Sequence, residues 1–104
     1  MKVILATCPT GQVNALARYL VESGLAACVN IIPSATSVYS WEGEVVEDKE
    51  SLMLIKANDT ALQPLRQAFM KAHSYEVPEF VVLEVSDVDS SPEYLAWVNS
   101  VGPV

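Results

Sequence analysis

The stretch from residue 27 to residue 57 constrains the fold more than any other part of the chain. It reads as one long hairpin. AACVNII (26–32) is an apolar, β-rich run, Pro33 interrupts it, SVYSW (37–41) resumes it, Glu42 and Gly43 give a turn signal, and EVVEDKESLMLIKA (44–57) returns. Proline cannot donate to a ladder, so the outgoing arm is expected at a sheet edge or bulged near Pro33. The return arm starts polar and ends in LMLI (52–55). Its first half is expected to be exposed on at least one side, and its second half buried on both. Arms of this length exceed what the sheet of a small domain can use, so the tip must reach out to something else.

The flanking segments supply the other strands and the helices. VILATC (3–8) is a short buried strand, with Thr10 as N-cap of a helix whose apolar residues Val13, Leu16, Ala17, Leu20 and Val21 recur at helical spacing up to Gly24. After ANDT (57–60), Leu62, Leu65, Ala68, Phe69 and Ala72 define a second helix that ends near His73, because Pro78 follows closely. EFVVLEV (79–85) is a fourth strand. Ser91, Pro92 and Glu93 open a last helix with Tyr94, Leu95, Trp97 and Val98 as its apolar contacts. The order β-α-β-β-α-β-α is an α+β arrangement whose first six elements are the split β-α-β, or ferredoxin-like, pattern, followed by an extra C-terminal helix. The expected sheet order is 4-1-3-2, fully antiparallel, with strands 2 and 4 as open edges.

Length and charge exclude several classes of function. A chain of 104 residues fits one domain, spanning 1–104. Half of its residues are hydrophobic, 51%, which is high for a small solitary domain and points to self-association. Six Lys and Arg against 13 Asp and Glu give a net charge of −7, and the basic residues are scattered. Nucleic acid and anionic membrane surfaces are therefore not expected partners. No apolar run is long enough to span a membrane, and the N-terminal stretch reads as a strand rather than a signal peptide. Cys8 and Cys28 are too few and too far apart for a disulfide framework, so the chain reads as cytoplasmic and reduced.

Topology gathers the chemistry-bearing residues. With the end of strand 1 taken as the top of the sheet, Cys8, the root of the hairpin near Glu50 and the loop HSYEVPE (73–79) meet there, while Cys28 starts at the bottom. His73, the sole histidine, with Cys8 and the carboxylate of Glu76, is a ligand set that suits copper or zinc. No ligand spacing is diagnostic, and a lone histidine at a helix C-terminus also reads as a cap that compensates the helix dipole. Cys28 reads equally as a small core residue, Lys56 as a stem along the sheet with its head in water, and the acidic run 42–50 as a solvated face. Tyr39 and Trp41 near the hairpin tip are placed to pack on a neighbouring chain. Tyr75, Glu76 and His73 offer acid–base groups, but no nucleophile motif or phosphate loop accompanies them, and no enzymatic reaction is expected.

ACVNIIP, SVYSWEGEV, ESLMLIK and HSYEVPE together, in this order and spacing, resemble the signature stretches of the CutA divalent-cation tolerance family. The resemblance runs from the first strand to the last helix. It implies a ferredoxin-like fold, a homotrimer similar to the PII-type signalling proteins, hairpins that add to neighbouring sheets, and a link to tolerance of copper and other divalent metal ions. It also implies an intersubunit cleft that includes Cys28, Trp41, Glu50, Lys56 and Tyr75 besides His73 and Glu76. Ser74 stands where relatives often carry proline, which leaves that loop less rigid. A PII-like signalling or scaffold trimer that binds a small molecule, with metal incidental, is the alternative that the same resemblance allows.

Overall fold

A computed structural model describes residues 1–104. Strand β1 (Lys2–Cys8) leads into helix α1 (Thr10–Glu22), the hairpin strands β2 (Cys28–Trp41) and β3 (Glu44–Ala57), a short 3-10 turn at Asp59–Ala61, helix α2 (Leu62–Ala72), strand β4 (Phe80–Leu83) and helix α3 (Pro92–Asn99). The four strands form one sheet in the order β2-β3-β1-β4, antiparallel throughout, as the element pattern predicts. No helix is long and apolar enough to cross a membrane.

Period-two alternation builds the core. Ile4, Ala6 and Cys8 of β1 and Met53, Ile55 and Ala57 of β3 point to one face and are fully buried there. Val13, Leu16, Ala17 and Leu20 of α1, with Leu65 and Phe69 of α2, close over them. The opposite face is not closed. Leu52 and Leu54, expected to be buried on both sides, alternate with the buried residues and are only half-buried, because α1 and α2 cover the other face. Val81 and Leu83 of β4, which pair with Leu5 and Val3, are exposed on that same face.

The hairpin overhangs the sheet. Strand β1 pairs with β3 only from Ser51 to Ala57, so Glu44–Glu50 have β2 as their sole neighbour. The turn at the tip holds Glu42 at φ 50° and Gly43 at φ 81°, a two-residue hairpin connection that matches strand twist. The expected irregularity at Pro33 is a bulge between Ile32 and Ala35, with Ser34 at φ 61°.

Three local expectations need correction. Pro9 rather than Thr10 occupies the N-cap of α1, and it makes no side-chain cap. The Thr10 hydroxyl lies 3.2 Å from that of Ser51 and ties the helix start to β3 instead. Strand β4 is four residues long rather than seven, because β1 pairs with it only from Val3 to Ala6 and Glu84 turns out to meet Lys2. On α3, Leu95 and Val98 are buried, while Tyr94 and Trp97 lie partly in solvent with ring centroids 5.6 Å apart. The caps read for α3 are present: the Ser91 hydroxyl accepts from the Tyr94 amide, and Pro92 opens the helix.

Candidate functional site

The end of α2 and the overhang of the hairpin come together at the top of the sheet. Helix α2 stops at His73, whose backbone is extended at φ −79°, ψ 143°. The imidazole is 8% exposed. It turns away from the helix end: Nε2 lies 2.7 Å from the carbonyl oxygen of Thr7, and the Tyr75 amide donates to Nδ1 at 3.1 Å. A carbonyl can only accept and an amide N–H can only donate. The ring is therefore the neutral tautomer with its proton on Nε2, and both nitrogens are engaged. Its side chain acts neither as a cap on α2 nor as a free ligand. It pins the 73–79 loop to the end of β1. Ser74 adds a second tie by donating to Gln12 of α1 at 2.9 Å.

Pinned this way, the loop folds Tyr75 over the root of the hairpin. The Tyr75 ring packs at 4.6 Å on the imidazole, and its hydroxyl donates to Glu50 Oε1 at 3.0 Å. Glu50 is 6% exposed although it belongs to the acidic run read as a solvated face. By strand alternation Asp48 and Glu50 lie on the sheet face opposite the helices. There Tyr39 donates its hydroxyl to Asp48. Together these residues line a pocket of about 590 Å³ whose walls include Tyr39, Trp41, Tyr75, Asp48, Glu50 and Glu79. Thr7, Ser37, Val38, Glu76 and Val77 line it as well.

The electrostatics are one-sided. Burial, and then the hydrogen bond to Glu50, push the Tyr75 phenol up to about 12. Burial and the neighbouring Glu50 push the Glu79 carboxyl up as well. The Cys8 thiol is raised by burial first and by Glu50 second. A thiol held in its protonated form is a poor nucleophile and a poor metal ligand.

The structure thus divides the residues that sequence reasoning had grouped. Trp41, Glu50, Tyr75 and Glu76 share the pocket. Cys8 lies close by but is fully buried in the core beneath it. Cys28 and Lys56 face each other across β2 and β3 at the far end of the sheet, where Lys56 donates to Asn30. Both cysteines are free. No three His, Cys, Asp or Glu side chains stand where they could hold a metal ion together, so His73, Glu76 and Cys8 do not form a ligand set in this geometry. Tyr39 and Asp48 are pocket residues that the sequence reading did not place in the site. The register set by the Glu42–Gly43 turn could have found both, since it puts Tyr39 opposite Val46 and diagonal to Asp48.

The family model described as "CutA1 divalent ion tolerance protein" matches residues 2–101. The divalent-cation tolerance protein CutA of Thermus thermophilus is 45% identical over 99 residues, 94% of each chain. The chloroplastic protein CutA of Arabidopsis thaliana is 39% identical over 94% of this chain, which spans only 53% of that relative. Among solved structures, the PII-like protein CutA of Nostoc superposes with a TM-score of 0.92 at 39% identity, covering 96% of this chain and 95% of that one.

The Tyr75–Glu50 bond has a measurable consequence. Tyr75→Phe leaves a largely buried carboxylate without its donor and is expected to cost about 1–3 kcal/mol in denaturant unfolding. The difference in phenolate absorbance between the two proteins should show one tyrosine ionising at about 12. A phenol pKa raised by folding stabilises fully below its unfolded value of ~10, and that stabilisation is lost as pH rises from there toward the folded value. A difference titration centred near 10, with unchanged stability, would show that the bond is not formed.

Proposed function

The chain belongs to the CutA1 divalent ion tolerance family, and on that premise we propose that it acts as a homotrimeric, PII-like binding protein of the cellular response to divalent cations. The pocket on the open sheet face is its effector site. The overhanging hairpin supports this reading most directly. Glu44–Glu50 have one strand neighbour, Val81 and Leu83 stay exposed on the sheet face opposite α1 and α2, and two-stranded ribbons of this kind are marginal alone. A second copy that supplies strand and surface resolves all of these at once, and it places Trp41, 41% exposed in the single chain, at a subunit boundary. The number three comes from the family resemblance and from the PII-like neighbours. Two free cysteines favour a cytoplasmic setting. Scattered basic residues disfavour nucleic acid as a partner.

This reading assigns no reaction. The His73 nitrogens are taken by backbone groups, and a phenol raised to about 12 is a poor acid or base near neutral pH. Copper does not fit His73, Glu76 and Cys8 as they stand. The imidazole would have to release Thr7 or Tyr75, and the Cys8 thiol would have to ionise where burial and Glu50 oppose it. Metal has a second route, because the pocket carboxylates and a net charge of −7 concentrate cations locally. Copper held this way binds with micromolar-class affinity.

Two measurements test the reading. Light scattering at micromolar concentration should give three chain masses with no folded monomer; a folded monomer would overturn the assembly. Calorimetric titration with Cu(II) at pH 7.5 should give equal, micromolar-class binding for wild type and for His73→Gln, which keeps a side-chain donor for Thr7. Loss of binding in the variant would return His73 to the ligand set.

A further inference from the structure

The chain beyond α3 folds back across two connections at the bottom of the sheet, the end away from the pocket. Asn58, which follows β3, donates its side-chain amide to the carbonyls of Asn99 at 2.8 Å and Val101 at 3.5 Å. Its side-chain oxygen accepts from the Thr60 amide, so one residue both opens the 3-10 turn and holds the start of the tail. Farther on, the Val104 amide donates to the Ser23 carbonyl at 2.9 Å, at the end of α1. Gly24 lies under this crossing at φ 73°. A Cβ there would stand on the Gly102 carbonyl oxygen and 3.3 Å from the Pro103 Cα. Two demands therefore meet at Gly24: a left-handed backbone to end α1, and no side chain beneath the tail.

Little apolar burial holds the tail. Gly102, Pro103 and Val104 are exposed, and Val101 is half-buried. A few surface hydrogen bonds give a net gain comparable to the entropy lost in ordering such a segment, so its open and closed forms lie close in free energy. Helix α3 depends on the tail in turn. It has 8 residues, and a helix that short is not stable without packing. It buries Leu95 and Val98, and neither belongs to the core cluster that β1, β3, α1 and α2 build. Helix and tail are thus contiguous, peripheral and tied down at their far end, the features of a segment that opens by itself while the core stays closed.

We infer that residues 100–104 are a strap that holds α3 on the domain, latched at Gly24, and that strap and α3 open and close as one unit while the sheet, α1 and α2 remain folded. In the open form Leu95 and Val98 join Tyr94 and Trp97 in solvent, so opening turns a half-covered helix into an apolar one. The device is independent of the pocket and of its reading as an effector site.

Amide hydrogen exchange on the intact assembled protein tests it. Gly24→Asn retains a residue that accepts left-handed backbone but adds a side chain under the tail. It should speed exchange across 94–104 at least about tenfold and leave β1 and Ser51–Ala57 unchanged. Gly43→Asn makes the same substitution at φ 81° with nothing near the added Cβ, and should leave α3 unchanged. Deletion of residues 102–104 should reproduce the Gly24→Asn effect. Combined with that deletion, Gly24→Asn should add less than about twofold in α3, because the atoms it meets are gone. Unchanged exchange in α3 after the deletion, additive effects of the two changes, or equal acceleration in α3 and β1 would overturn the inference. If Gly24→Asn does not fold, the deletion alone decides between these outcomes.

Discussion

Half of β3 has a neighbour on one side only, and much of the rest of the structure depends on that. From Ser51 to Ala57 the strand is held between β1 and β2 under two helices; from Glu44 to Glu50 it has β2 alone. A ribbon that leaves the sheet carries unpaired backbone groups along both edges, and such edges pair with other chains unless they are blocked. Pro33 and its bulge blunt the lower part of β2, but from Ala35 onward β2 runs regularly paired to Trp41. The overhang therefore reads as a surface built to be shared.

The pocket follows from the same geometry. Because the overhang carries Asp48 and Glu50 past the end of β1, their carboxylates have no third strand beside them. The 73–79 loop takes up that position. It is fixed there by a neutral histidine bonded to two backbone groups and by Ser74 on α1. Histidine in this role is structural: it fixes the loop that sets Tyr75 on Glu50.

Most of the fold was legible in the sequence, because periodicity and punctuation agreed: Gly24 ends α1 at φ 73°, Ser91 and Pro92 open α3, and Glu42–Gly43 fixes the hairpin register. What could not be read depends on tertiary neighbours. LMLI looks buried on both faces by composition, but α1 and α2 cover only the face of Met53 and Ile55, and Leu52 and Leu54 stay half-buried. His73 looked like a cap or a ligand, and only the position of the Thr7 carbonyl shows it to be neither in this geometry. Glu50 could not be told from Glu44 or Glu47 by sequence, since its burial comes from a loop 25 residues away. The grouping of Cys28 and Lys56 with Trp41 and Tyr75 came from family resemblance, and within one chain these pairs lie at opposite ends of the sheet.

The central claim is that the overhang is ordered by pairing with another copy of the chain. Amide hydrogen exchange resolved along the sequence tests it most directly. The account predicts that amides in 35–50 of the assembled protein are protected comparably to those of β1 and of Ser51–Ala57, and that their protection collapses first when the protein is dissociated by dilution or mild denaturant. Rapid exchange throughout 35–50 in the intact assembly, beside slow exchange in β1, would show a free ribbon and contradict it.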